Sequence, residues 1–252
     1  MVVKAKLEGH VFDLDALVEL FREGEPKVAK EEDGYYLASS ELDGLMDDGG
    51  PLVEAATRLL QKVTGIARIL DSSFRPVTMP GTFVEDSGDG GRRRQHVAGA
   101  LTAELRIKAS FVASGVVSTS DGRPPEPEPS PAPPEGPLFI QLAASHPDVA
   151  EALEILGKSS ISLNWVDLYK LYEIVRSNVG GEKALKQWAS SADLSAFTAS
   201  ANRPDVSGSE ARHARSTGAR LPKRTMNLAE GEAFIRRLIE TWWNSLVSQS
   251  ED

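Results

Sequence analysis

Residues 118–136 read STSDGRPPEPEPSPAPPEG, and this stretch limits the possible folds more than any other. Proline, glycine and acidic side chains replace any apolar period there, so the segment has nothing to bury that would offset its ordering entropy. It is expected to run as a solvated tether. Extended as polyproline at about 3.1 Å per residue, such a stretch spans roughly 60 Å. The expectation is therefore two domains, residues 1–117 and 137–252, that need not touch through it.

The hydrophobic period changes across this boundary. Upstream, VVKAKLEG alternates Val3, Ala5 and Leu7 with Lys4, Lys6 and Glu8, the pattern of a half-buried strand, and Asp13 is placed as the cap of a helix over LDALVELFREG. KVAKEEDGYYLASS carries an Asp33-Gly34 turn between two extended runs and reads as a hairpin. PLVEAATRLLQKVTG sets Leu52, Ala55, Ala56, Leu59, Leu60 and Val63 on one helical face, with Pro51 at its start and Gly65 at its stop. ARIL, RPVTMPGTFVED and HVAGALTAELRIKASFVAS then read as strands around SGDGGRRRQ. This half is expected to be an α+β domain with a mostly antiparallel sheet.

Downstream the period is helical. SHPDVAEALEILG takes Ser145 as cap, Pro147 in its first turn and Gly157 at its end. In SLNWVDLYKLYEIVRSNVGG, Trp165, Leu168, Tyr172, Val175 and Val179 form one stripe, closed by Gly180-Gly181. EKALKQWAS is a shorter helix. NLAEGEAFIRRLIETWWNSLV opens on Asn227 with Glu230 three residues later, a variant capping box, and turns Phe234, Ile235, Leu238, Ile239, Trp242 and Leu246 inward. The fold class is thus α+β: a sheet-bearing N-terminal part and a C-terminal helical bundle.

With 40% apolar residues the chain can bury a proper core, and its net charge of -9 argues against a nonspecific nucleic-acid coat. Cysteine is absent, which excludes disulfides, thiolate zinc sites and cysteine nucleophiles. The first residues, MVVKAKLEGHVFDLDALVELF, lack the long apolar run of a signal peptide or a membrane span. A cytoplasmic setting without membrane contact is expected.

Against that acidic background, ANRPDVSGSEARHARS, residues 201–216, is locally basic. Arg203, Arg212, Arg215, Arg220, Lys223 and Arg224 face only Asp205 and Glu210 in its neighbourhood. Asn202, Pro204, Asp205, Ser207 and Gly208 are turn and cap formers, so a short helix is expected near Ser209 or Glu210, carrying Arg212 and His213 on it or just before it. A guanidinium fixes phosphate or carboxylate through a planar fork, and a histidine exchanges a proton near neutral pH. Tyr169, Glu173 and Arg176 share a helical face, from which Glu173 can orient an imidazole or pair with Arg212. Arg212, His213 and Glu173 are therefore the catalytic candidates, and Arg203, Arg215 and Asn202 the phosphate or anion-binding ones. RNA is the partner expected for the Arg203–Arg224 segment. The competing reading makes Arg212, His213 and Glu173 an internal polar lock that closes the bundle.

This pattern resembles the HEPN superfamily of bacterial toxin, defence and RNA-processing domains: a long helix with an acid beside its buried stripe, a polar turn with Asn, Arg and His, and a last helix opened by an Asx cap. The resemblance covers residues 145–247. It implies a dimerising four-helix bundle and a metal-independent ribonuclease. It also implies that Arg212 and His213 take the Arg/His motif, Asn202 the polar turn position and Glu173 the helix acid. In that superfamily four to six residues separate the arginine from the histidine; here they are adjacent, and helical neighbours point about 100° apart.

The other motifs are weaker. Gly88, Gly90 and Gly91 before three arginines describe a phosphate cradle or an ordinary hairpin loop, without the lysine and Ser/Thr of a P-loop. Asp43, Asp47 and Asp48 lack EF-hand spacing, and His10, His96 and His146 stand isolated, so no metal or cofactor is expected. Of the adjacent Trp242 and Trp243, one is expected to face outward, where it can form a homodimer contact. The N-terminal part is expected to recognise a protein partner or trigger. For the whole chain the expectation is a noncatalytic interaction or sensor protein of bacterial type, with a ribonuclease of a defence or toxin system, using His213 and Arg212, as the alternative.

Overall fold

A computed structural model describes residues 1–86, 94–97, 135–158, 163–215 and 223–250. Residues 118–134 of the expected tether, the glycine-arginine run at 87–93 and the strand expected beyond residue 97 lie outside the described residues; the last two tether residues, Glu135 and Gly136, form the cap and first residue of a helix.

The alternating N-terminus forms β1 (Val2–Leu7), followed by α1 (Val11–Leu20) and a hairpin of β2 (Lys27–Glu31) and β3 (Gly34–Ala38). After α2 (Gly49–Leu70) come β4 (Thr82–Asp86) and β5 (Arg94–Val97). The strands pair antiparallel throughout in the order β2-β3-β1-β4-β5. β1 thus lies at the centre. Its register, Ala5 opposite Leu37 on one side and Phe83 on the other, puts Val3, Ala5 and Leu7 on the buried face. Lys4 lies on the other face and bonds Glu31 and Asp86. Burial opposes its charge, but these hydrogen bonds and charges outweigh it and hold its pKa above the ordinary value.

Among the described residues, seven helices follow: α3 (Gly136–Ser145), α4 (Pro147–Leu156), α5 (Trp165–Asn178), α6 (Glu182–Leu185), α7 (Ser191–Asn202), α8 (Pro204–Ser207) and α9 (Leu228–Ser250). The architecture is α+β, with an antiparallel sheet formed by the N-terminal part and a helical C-terminal part. Among the described residues no helix is long and apolar enough to cross a membrane.

The described residues belong to one compact unit with one continuous core. The expected division into two separate domains gives way to a shared core because α2 offers an apolar face wide enough for both partners. Leu52, Ala56, Leu59, Val63 and Ile66 are buried in a cluster that runs from β1 to Leu153 and Leu156 of α4. The two backbones approach closely at two glycines. A Cβ on Gly65 would stand 2.7 Å from the carbonyl oxygen of Leu153, and one on Gly157 would stand 1.9 Å from that of Gln61. Gly65 is therefore a crossing point inside α2 and not its stop. ARIL forms the last turn of this helix instead of a strand, since Ile66, Ala67 and Ile69 continue its buried face. Arg68, buried beside them, donates to the carbonyl of Leu156 at 2.7 Å, a second tie from α2 to α4.

Other expectations also change. Asp13 does not cap α1: its carboxylate is buried and takes the Arg75 guanidinium at 2.8 Å, while the side chain of His10 caps the helix by accepting from the N–H of Phe12. Ser145 closes α3, and His146 holds the cap position of α4 ahead of Pro147. Trp242 and Trp243 are both buried, so neither offers the outward surface expected for a homodimer contact. Trp242 donates to the side-chain carbonyl of Asn178 at 2.8 Å, and Trp243 packs on Phe139 of α3, which fills the side of α9 that was expected to face solvent. The box at the start of α9 forms as expected, the backbone N–H groups of Asn227 and Glu230 each donating to the other's side chain at 2.8 and 2.9 Å.

Candidate functional site

Three of the site candidates, Arg212, Glu173 and Asn202, meet where the C-terminal end of α7 approaches α5. α7 begins at a Ser190 cap, whose hydroxyl accepts from the N–H of Asp193, and buries Leu194, Phe197 and Ala201 along one side. This helix is not among those expected, although Ser190 with Asp193 and the spacing of Leu194, Phe197 and Ala201 carry the signal. At its far end Asn202 donates from Nδ2 to the carbonyl of Thr198 at 2.9 Å. That bond turns Oδ1 outward.

The chain then makes α8, a 3-10 turn over Gly208–Glu210 and a bend through Arg215. The short helix expected near Ser209 or Glu210 is this 3-10 turn, but Arg212 and His213 sit in the bend after it and not on it or just before it. Gly208, with φ at +62°, breaks the helical path before they are reached. The backbone N–H of Arg212 returns to the carbonyl of Ala201 at 2.8 Å. Its guanidinium lies over the ring of Tyr169, 4.5 Å from the centroid, with Nη1 3.4 Å from Asn202 Oδ1 and Nη2 3.8 Å from Glu173 Oε1. Tyr169 in turn contacts Tyr172, which contacts Phe197, so the cation rests on an aromatic stack rooted in the core. Burial raises the pKa of the Tyr172 phenol, and the nearby Arg176 acts the other way. Sequence alone placed Tyr169 beside Glu173 but did not single it out as the platform for Arg212.

The ion pair is modest. Its side chains are 37% and 40% exposed, and an exposed pair contributes about 0–1 kcal/mol. A cation over an aromatic ring at an exposed site adds about 0.5–1 kcal/mol. The ring contact is therefore at least as important as the charge pair in holding Arg212.

A second fastening lies inside the same segment. Ser207 donates to the carbonyl of Ser200, and the fully buried hydroxyl of Ser200 accepts from the N–H of Met226 at 2.8 Å. The segment after α7 and the approach to α9 are thus both tied to one residue of α7.

The structure brings Arg212, Glu173 and Asn202 together. His213 is exposed and makes no hydrogen bond, ion pair or ring contact among the described residues. Two of the three anion-binding candidates have partners of their own: Arg203 forks onto Asp205 at 3.0 and 2.7 Å, and Asn202 serves Arg212. The hydrogen bonds to Asp205 also raise the pKa of Arg203. Arg224, in the same basic stretch, pairs with Asp193 at 2.7 Å. Arg215 is exposed. Much of the positive charge read from the sequence is thus compensated locally. Among the described residues no three or more His, Asp or Glu side chains converge as a metal site.

The fold and the site define an α+β protein with a polar cluster that fastens one loop to its helical part. Comparison with family models, with curated proteins and with solved structures finds no match.

Proposed function

We propose that this is a noncatalytic interaction or sensor protein, in which Arg212, Tyr169, Glu173 and Asn202 lock the 203–215 segment onto α5 and α7. One observation carries the reading: the guanidinium and the backbone N–H of Arg212 are both used within the chain, while the neighbouring imidazole takes no part in the cluster. A catalytic arginine has to present its fork to substrate, and this one faces a ring, an amide and a carboxylate of its own protein. The N-terminal sheet is the surface proposed to meet a protein partner, in a cytoplasmic setting.

The exposure of His213 favours a second reading, a HEPN-like, metal-independent ribonuclease of a defence or toxin system. In that reading His213 handles the proton, Glu173 orients the site, and Arg212 with Asn202, Arg203 and Arg215 holds the RNA backbone. Incubating single-stranded RNA with the purified protein in EDTA, beside His213→Ala, separates the two. The lock predicts intact RNA with both proteins. Cleavage by the parent that His213→Ala abolishes would establish the ribonuclease and displace the lock.

A further inference from the structure

α7 carries a second arrangement at its opposite, N-terminal end, some 15 Å from Asn202 at about 1.5 Å per residue. A recess of about 220 Å³ opens there between α7, α9 and the residues after α6. Its walls are Trp188, Phe234 and Leu238, and its polar groups include Ser190, Asp193 and Arg237.

The charges decide what it accepts. Both oxygens of Asp193 are engaged: Oδ1 takes the Arg224 guanidinium at 2.7 Å and Oδ2 the hydroxyl of Ser190 at 2.7 Å. Arg237 is exposed on α9, and among the described residues its guanidinium makes no hydrogen bond, ion pair or ring contact. With Asp193 matched by Arg224, the uncompensated charge is the single positive one of Arg237. A guanidinium fork suits a carboxylate or a phosphate. The apolar walls suit a ring, and Trp188 is half-buried and makes no ring-stacking or cation-π contact among the described residues. Size agrees as well, because a cavity of about 150 Å³ already accepts benzene.

We propose that this recess binds a planar aromatic compound bearing one carboxylate or phosphate, with the ring against Trp188 and the anion on Arg237. The proposal stands on residues that the Arg212 cluster does not use, so the failure of either leaves the other in place.

Trp188 supplies the probe. Of the 4 tryptophans, Trp165, Trp242 and Trp243 are 3%, 0% and 1% exposed, leaving Trp188 as the accessible one. The full chain is titrated with benzoate, with adenosine monophosphate, and with uncharged benzyl alcohol as control, reading tryptophan emission and, in parallel, calorimetry. A saturable change is expected with at least one anion and not with benzyl alcohol. Response to benzoate alone assigns an aryl carboxylate, and response to the nucleotide alone assigns a nucleoside phosphate. Arg237→Ala should weaken binding by about tenfold or more, the loss of a charge-assisted contact, with Tm unchanged. Trp188→Leu should remove binding in the calorimeter. No saturation by either anion up to about 10 mM, or equal affinity in Arg237→Ala, would overturn the proposal.

Discussion

Arg212 shows how little free energy is needed to decide the course of a loop. Its ring contact, weak ion pair and backbone bond contribute at most about 1 kcal/mol apiece, yet they act on one residue of a segment that otherwise buries few side chains. Helical spacing on α5 and turn formers after α7 are local signals, so the sequence points to Arg212, His213 and Glu173 as one group with Asn202 as a separate anion binder. The structure sets Asn202 and Glu173 beside Arg212 and leaves His213 out. The sequence could not show which way the guanidinium faces. Gly208 was legible as a turn former, but the direction in which it sends the chain and the hold of Thr198 on Asn202 depend on three-dimensional contacts that residue type does not carry. A different residue contributes a pH dependence. Asp71, just past α2, accepts from the hydroxyl and the N–H of Ser73, both at 2.7 Å, and these bonds hold its pKa below the ordinary carboxylate value. Because the folded value is the lower one, the stabilisation is complete above the unfolded pKa and is lost as pH falls through the folded one. Melting curves recorded from pH 6 to pH 2 should show Asp71→Ala less stable than the parent at the upper end, with the gap closing below about pH 4.

At the scale of elements, the seam between α2 and α4 is where sequence reasoning met its limit. Glycine at a helix end and glycine at a helix crossing look the same in one dimension, and Gly65, expected as the first, serves as the second. ARIL fails for the same reason: a short apolar run has no period of its own until the helix before it is known to continue. Pro147, Gly157, the Asn227 box and the β2-β3 hairpin were legible because each rests on chemistry within a few residues. Gly157 offers a test. Its φ of -80° suits any residue, so Gly157→Ala acts only through the contact with Gln61. Overpacking of this kind costs about 1–3 kcal/mol, which predicts a Tm several degrees below the parent. An unchanged Tm would mean that the helices part at no cost.

For the whole molecule, the N-terminal sheet and the C-terminal helices share a core despite the composition break between them. A change in hydrophobic period marks where one kind of element gives way to another. It does not mark where packing stops, because α2 has apolar residues for both. The loop at 203–215 buries none of its own side chains in that core, and a lock on that loop is the central claim. A double-mutant cycle tests it most directly, with chemical unfolding of the parent, Arg212→Ala, Tyr169→Leu and the double variant. The account predicts a favourable coupling of about 0.5–1 kcal/mol between the two side chains. Strictly additive losses, with no coupling beyond error, would contradict it.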